Sequence, residues 1–368
     1  MKGIWKYSHL LPPFSDEAKI TLGEGNTPLV KSNRLGKELG LEHLYFKLEQ
    51  TNPTGSYKDR FAAFAIADLI QKKSPICIAT SSGNAGSALA AYAAAAGIKC
   101  FLAIVDGAPA GKLMQMRAYG AETLMVKGFG LDTQVTNEVM DGLQALAKGL
   151  GIPVHISAYH YSPLAMEGVQ TMAFEIAEEI PDFQGHLFPP VGGGGMTLAI
   201  IRGFKKWKES HSDFQIPKVH CVQPAGNDTI ATALRNGSDK AQPLERCLSA
   251  VSGLQVPNVI DGDRLIQECR STGGTGYPVS DEEVYACQDS LAKMEGIYAE
   301  PAGAVALAGL MRAVKNGEVN RQDHVVCIVT GHGFKDPSSV EKIAKKAKDQ
   351  YFQTAGETFD YIQSQVKK

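Results

Sequence analysis

Four short clusters in this 368-residue chain set reactive side chains among turn-forming residues. In the first, Asn52-Pro53-Thr54-Gly55-Ser56-Tyr57-Lys58-Asp59-Arg60, Pro and Gly set a turn, and Thr54 or Ser56 can cap the helix that follows. Lys58 then falls in the first helical turn, where the helix dipole disfavours a cation. An amine kept neutral can attack a carbonyl and form a Schiff base; the alternative is a solvated surface lysine. The second cluster, Ser81-Ser82-Gly83-Asn84-Ala85-Gly86, lies between a strand pattern and an Ala-rich helix pattern. Parallel sheets bind ligands at the carboxyl ends of their strands, and the N–H groups of a helix start suit a carboxylate; the alternative is a plain turn capped by Ser or Asn. The third is Gly192-Gly193-Gly194-Gly195-Met196-Thr197. Four glycines let backbone N–H groups wrap an anion such as phosphate, whereas a tight packing turn has little use for four in a row, given their backbone entropy. The fourth, Thr330-Gly331-His332-Gly333-Phe334-Lys335-Asp336-Pro337, ends a strand and either offers the Thr330 hydroxyl to a strand-end crevice or is a glycine-rich turn.

The elements that must position these clusters alternate in type. Strand patterns are predicted at 44–48, 75–80, 99–105, 123–126 and 154–156, with helices at 59–71, 84–96, 111–119 and 133–148 between them. The alternation resumes with a helix at 165–180, a strand at 187–191, a helix at 196–209, a strand at 218–223 and a helix at 229–235. After a less regular stretch over 241–275 come helices at 281–295 and 302–315, a strand at 324–330 and a helix at 340–348. This βαβα rhythm predicts an α/β protein with parallel, helix-covered sheets. No internal repeat, charged tail or linker interrupts it.

Composition bounds the function. The length suggests two or three domains. With 37 Lys+Arg against 39 Asp+Glu, no basic footprint for nucleic acid is expected. The start Met1-Lys2-Gly3-Ile4-Trp5-Lys6-Tyr7 has no apolar signal core, and no run approaches the roughly 20 apolar residues of a membrane span. A cytoplasmic protein without a membrane partner is expected. Seven scattered cysteines without a Cys-x-x-Cys pair argue against a disulfide framework or zinc site. The chain also lacks a nucleotide P-loop, Gly-x-Gly-x-x-Gly spacing, His-Glu-x-x-His and a Gly-x-Ser-x-Gly elbow. Ser339-Val340-Glu341-Lys342 matches Ser-x-x-Lys without its partner motifs.

Taken together, the clusters resemble the fold-type II pyridoxal phosphate (PLP) enzymes, and within them the threonine synthases. Trp5-Lys6-Tyr7 with Leu10-Leu11-Pro12, Leu22-Gly23-Glu24-Gly25-Asn26-Thr27-Pro28-Leu29, the Lys58 block and the Thr330 block all look like segments of that family, in its order. The resemblance implies two three-layer α/β domains with PLP in the cleft between them: a larger one from residues 1–56 plus 152–368, and a smaller, mobile one from 57–151. It implies that Lys58 holds PLP and shuttles protons, that Asn84 meets the ring hydroxyl, that Gly192, Gly193, Gly194 and Gly195 hold the cofactor phosphate, and that Thr330 faces the pyridine nitrogen. Ser81, Ser82, Gly83 and Asn84 would clasp the carboxylate of a small amino-acid substrate. No metal is implied; a homodimer is.

The family generally has Thr after the ring-binding Asn and Arg two residues before the Glu-Gly that opens a later helix, both toward the substrate's phosphate. Here those positions are Ala85 and Ala165. The cup ending in Met196 and the segment Glu300-Pro301-Ala302-Gly303-Ala304 look more like serine/threonine dehydratases. The expected activity is therefore α-proton abstraction with β- or γ-elimination or replacement. The alternatives are conversion of phosphohomoserine to threonine, an ammonia-lyase of the dehydratase or diaminopropionate type, a β-replacement synthase of the cysteate synthase type, and a non-catalytic PLP-binding paralogue. Tyr159, His160 and Tyr161 lie near the altered position and either line a different pocket or are core or surface aromatics.

Overall fold

A computed structural model describes residues 3–106, 108, 110–345 and 349–366. In chain order its strands are β1 (Leu29–Lys31), β2 (His43–Leu48), β3 (Ile76–Thr80), β4 (Lys99–Ile104), β5 (Glu122–Met125), β6 (Val154–His155), β7 (Gly185–Phe188), β8 (Lys218–Val219), β9 (Cys221–Pro224), β10 (Gly276–Val279) and β11 (His324–Val329). One sheet has the order β1-β2-β11-β7-β8, parallel except for β1 against β2; another has the order β5-β4-β3-β6 and is parallel throughout. Strands β9 and β10 pair parallel beside the first sheet.

Strand β11 shows why helices cover both faces. Its last five residues are all buried, the near-continuous apolar run of a central parallel strand. Val326 and Ile328 face one core; Val325, Cys327 and Val329 face another, against the helix Pro301–Lys315. The first of these cores continues through the helices Lys58–Gln71 and Asn84–Ala95 to the four-stranded sheet. The Ala-rich sequence of Asn84–Ala95 suits this burial, because small side chains let neighbouring helices approach.

Several elements depart from their expected form. The strand expected over 154–156 is β6, two residues long, and it pairs with β3 through Ile78↔Val154 and Ala79↔His155 in the four-stranded sheet. The helix expected over 165–180 is broken into Pro163–Glu167, a 3-10 turn and Thr171–Glu179. At the break, a Cβ on Gly168 would lie 2.3 Å from the Arg60 carbonyl oxygen, so two backbones meet where only glycine fits. The strand expected over 218–223 splits at His220: the His220 N–H bonds to Leu187 in one sheet, and the Cys221 N–H bonds to Thr275 beside the other. The irregular stretch 241–275 holds the helix Gly262–Ser271, whose apolar face is Leu265, Ile266 and Cys269. The helix expected over 340–348 is Pro337–Ala344, and residues 346–348 lie outside the described residues. A helix not expected from the sequence, Ala355–Val366, is exposed along its length.

Burial also sets one pH dependence. His155 on β6 is 2% exposed, and neither ring nitrogen has a hydrogen-bond partner. Burial, with Lys72 adding to it, holds its pKa down at about 4 against an ordinary 6.5. The unfolded chain therefore takes up this proton first, and the contribution of His155 to stability falls as pH drops from 6.5 toward 4. His155→Leu is expected to keep wild-type stability at neutral pH and to remove a slope of about 1.4 kcal/mol per pH unit across that window. Urea titrations of both proteins check this; parallel stability–pH curves would contradict it.

Candidate active site

The carboxyl ends of β3, β4, β6 and β11, with the segment after β7, converge on a cleft of about 560 Å³ between the two larger sheets. Its wall contains Lys58, Ser81, Ser82, Gly83, Asn84, Gly192, Gly193, Gly194, Gly195 and Thr330. The four sequence clusters therefore meet in one place. Of the two positions singled out as departures, Ala85 lines this cleft, whereas Ala165 lines a separate cavity of about 700 Å³ together with His160 and Tyr161. Tyr159 is buried under Arg202, with its hydroxyl bonded to Gln170. None of these three aromatics lines the cleft, and Tyr159 is a core aromatic, the other reading of this segment.

Lys58 is the first residue of the helix Lys58–Gln71. The turn before it needs Gly55 at φ +86. Backbone pairing of Ser56 with Gly331, and bonds from the Tyr57 N–H to Thr330 O (3.1 Å) and from the His332 N–H to Gly55 O (2.9 Å), stitch that turn to the end of β11. This is why Lys58 and Thr330 share a wall. Asp59 closes the turn from inside: its buried carboxylate accepts the Thr54 N–H at 2.7 Å and the Thr54 hydroxyl at 2.6 Å. Burial pushes the Asp59 carboxyl up to about 7, against the pull of the Thr54 bonds. Lys58 Nζ donates to Ser157 Oγ and stands 4.4 Å from the centre of the Tyr57 ring.

The helix Gly195–Ser210 starts from Gly194 at φ +98, with no side chain capping it. Its first N–H groups are thus not taken by a side-chain cap. A Cβ on Gly194 would lie 3.2 Å from Leu265 Cδ2, and one on Gly195 would lie 3.2 Å from Ser157 O. Thr197 Oγ1, one turn in, is buried without a hydrogen-bond partner. The loop 81–84 is ordered by Ser81, whose Oγ accepts the Gly86 N–H at 3.0 Å and the Gly83 N–H at 3.3 Å. Ser81 therefore braces the loop, and Ser82, Gly83 and Asn84 form its face toward the cleft. Asn84 Nδ2 donates to Glu300 Oε1 at 2.8 Å.

Sequence reasoning did not single out Ser157, Thr197 or Glu300 as site residues. Thr197 follows the glycine run directly, and Glu300 opens a segment already noted, so each carried a signal. Ser157 had none, because it reaches Lys58 across 99 positions of chain.

These donors fit a phosphorylated aldehyde. An uncapped glycine-rich helix start and an unpartnered buried hydroxyl suit a phosphate, and a lysine amine across the cleft suits the aldehyde. The fold and site thus define an α/β protein in which a glycine-rich helix start and a lysine amine line one cleft between two sheets. The chain belongs to the family described as Pyridoxal-phosphate dependent enzyme, which it matches over residues 20–331. It is 35% identical over 350 residues to the threonine synthase of Methanocaldococcus jannaschii, covering 94% of this chain and 83% of that protein. The threonine synthase of Halalkalibacterium halodurans is 34% identical over 335 residues, covering 91% and 89%. Among solved structures, maize serine racemase superposes with a TM-score of 0.72 at 21% identity, covering 87% of this chain and 92% of that one. The processed form of threonine deaminase isoform 2 from Solanum lycopersicum does so at 0.71 and 21%, covering 87% and 83%. At that identity the likeness is one of fold.

Proposed function

We propose that this protein holds PLP on Lys58 and acts on a small amino acid by α-proton abstraction followed by β-elimination or β-replacement. The bound cofactor supplies an electron-withdrawing ring that stabilises charge at the α-carbon. Lys58 holds it covalently and takes and returns the α-proton at Nζ, with Ser157 Oγ orienting the amine. Gly192–Gly195 and Thr197 hold the phosphate. Asn84 bonds the ring hydroxyl and Thr330 meets the pyridine nitrogen. A neutral hydroxyl there does not enforce ring protonation as a carboxylate would, which suits elimination and replacement better than transamination. Ser82, Gly83 and the start of the helix Asn84–Ala95 clasp the substrate carboxylate. The reading includes a cytoplasmic homodimer, and sedimentation as a monomer would remove that part of it.

The observation that carries the choice of leaving group is the charge of the wall. Lys58 is the only cation among the described residues lining the cleft, and the residue after Asn84 is alanine. Beyond Lys58, a second phosphate, on the substrate, would find no charge-assisted partner among the described residues of this wall; Lys335 lines an adjoining cavity that shares Gly83 and Asn84. A serine-, threonine- or cysteine-like substrate with an uncharged leaving group is favoured. The second reading, phosphohomoserine converted to threonine, is supported by the threonine synthases to which the chain is 34–35% identical along nearly all its length.

A panel of phosphohomoserine, phosphoserine, serine, threonine, cysteine and diaminopropionate decides between them. Ammonia and keto acid released from the unphosphorylated amino acids are expected. Free phosphate together with threonine, formed from phosphohomoserine, would establish the second reading instead.

A variant tests the cup separately. At φ +98, Gly194→Ala is expected to lower stability by about 1–3 kcal/mol and to weaken PLP binding. Unchanged cofactor affinity in a titration would take Gly194 out of the phosphate site.

A further inference from the structure

Glu300 is 2% exposed and lines the cleft beside Asn84. Its surroundings are shaped around its carboxylate. The Glu300 N–H bonds to Gly331 O at 3.0 Å, Ala299 pairs with His332, and a Cβ on Gly331 would fall 2.0 Å from Glu300 Oε1. The loop that follows Thr330 therefore has glycine where the carboxylate passes. The bond from Asn84 Nδ2 to Glu300 Oε1, at 2.8 Å, spans 216 positions of chain and joins the helix after β3 to the helix packed on β11.

We propose that Glu300 is a positioning residue: it fixes the Asn84 amide in one of its two orientations and so sets how that amide meets the ring hydroxyl of PLP. This rests on the reading of the cleft as the cofactor site. A carboxylate offers acceptors and no donor, so it bonds the NH₂ end of the amide; a flipped amide would set oxygen against oxygen. Glutamine at 300 could accept from or donate to either end, and the orientation would no longer be imposed. Because Asn84 and Glu300 stand on helices belonging to different sheets, the same bond ties ring recognition to the separation of the two walls. The other titratable groups in the cleft wall, among the described residues, are Tyr57, Lys58 and Asp106; His332 and Tyr298 lie in the segments paired beside Glu300. All are retained in the variants below, so differences from wild type report on Glu300.

The experiment compares wild type with Glu300→Gln, Glu300→Asp, Asn84→Ala and the Asn84→Ala/Glu300→Gln double variant. Three quantities are measured: the affinity of cofactor-free protein for PLP, the ratio of visible to near-ultraviolet absorbance of bound cofactor across pH, and the melting temperature without cofactor. Glu300→Gln is expected to weaken PLP binding about tenfold, the loss of one hydrogen bond to a charged group. It should also change the band ratio and its pH midpoint, while cofactor-free melting stays at the wild-type value. Glu300→Asp should recover part of both effects, and the double variant should be no worse than Asn84→Ala. Wild-type affinity and band ratio in Glu300→Gln would overturn the proposal, as would additive losses in the double variant. A Glu300→Gln protein that does not fold while Asn84→Ala folds would assign the carboxylate to structure and also overturn it. A wild-type protein with no visible band is a different result, since it removes the cofactor-site reading itself.

Discussion

Lys58→Ala is expected to abolish covalent capture of PLP and to lower turnover by about 10²–10⁴-fold, the range for loss of a positioned acid–base group. Three features converge on this residue. It opens the helix Lys58–Gln71, so its amine stands at the positive end of a helix dipole. The helix start is stitched to the end of β11, so Lys58 cannot drift from Thr330 without breaking the Ser56–Gly331 pairing. Its Nζ is bonded to Ser157, whose carbonyl oxygen lies beside Gly195 in the glycine cup. Lys58 is the only lysine among the described residues of the cleft wall, so a neighbour cannot take over its role. Borohydride reduction of the PLP-loaded protein, followed by peptide mass analysis, should place the label on Lys58 in wild type and nowhere in Lys58→Ala. Lys58→Arg should behave as the alanine variant does, because a guanidinium keeps the charge without a nucleophilic amine. A label on any other lysine would sink the assignment.

Much of the candidate site was legible in the sequence because it is built from backbone-dictated clusters. Glycine runs and strand-end turns mark where N–H groups stand free, and such marks are local. Lys58, Asn84, Gly192–Gly195 and Thr330 each sit in a cluster of that kind, and all of them line one cleft. What the sequence hid depends on contacts between distant segments. Ser157 meets Lys58 and Glu300 meets Asn84, and neither partner is near in the chain. The same holds for the fold. The strands expected at 44–48, 75–80, 99–105, 123–126 and 324–330 lie within one residue of β2, β3, β4, β5 and β11, but that at 187–191 is β7 at Gly185–Phe188, and β1 and β10 were not expected; the split at His220 arises because consecutive N–H groups bond to two different segments. The helix Gly262–Ser271 was lost in a charge-rich stretch, since only Leu265, Ile266 and Cys269 supply its apolar face. Ala165 shows the limit of carrying a family's residue onto a position: motif alignment brings it toward the substrate, yet it lines a different cavity from Lys58.

Arg60→Met is expected to lower stability by about 3–5 kcal/mol, the cost of removing one partner from a buried ion pair. Arg60 lies two residues beyond Lys58 and is fully buried. Its Nε and Nη2 grip both oxygens of Glu49 at 2.8 and 2.7 Å, and Nη1 and Nη2 grip both oxygens of Glu175 at 2.6 and 2.7 Å. Thr171 accepts a further bond at 2.8 Å. Burial alone would raise the carboxyl pKa of Glu175, but Arg60 and then Lys47 outweigh it and hold it at about 2. With the folded value below the ordinary 4.5, Glu175 contributes stability above pH 4.5 that is lost as pH falls toward 2. Methionine fills similar space without charge, so Glu49 would lose its guanidinium partner and Glu175 would keep only Lys47, at 2.9 Å. Deprived of Arg60, Glu175 should bind a proton more readily in the folded state. The deficit of Arg60→Met should therefore shrink as pH falls from 7 to about 5, the opposite of a cavity effect, which pH would leave unchanged. Adding Glu49→Gln and Glu175→Gln to Arg60→Met should recover part of the loss at neutral pH, because no unpaired charge then remains. Urea unfolding of the three proteins at both pH values measures all of this. A single variant within about 1 kcal/mol of wild type at neutral pH would show that the network is dispensable. The consequence for function follows from position: Arg60 fixes the first turn of the helix that presents Lys58, so PLP affinity should fall together with stability in Arg60→Met and recover with it in the triple variant.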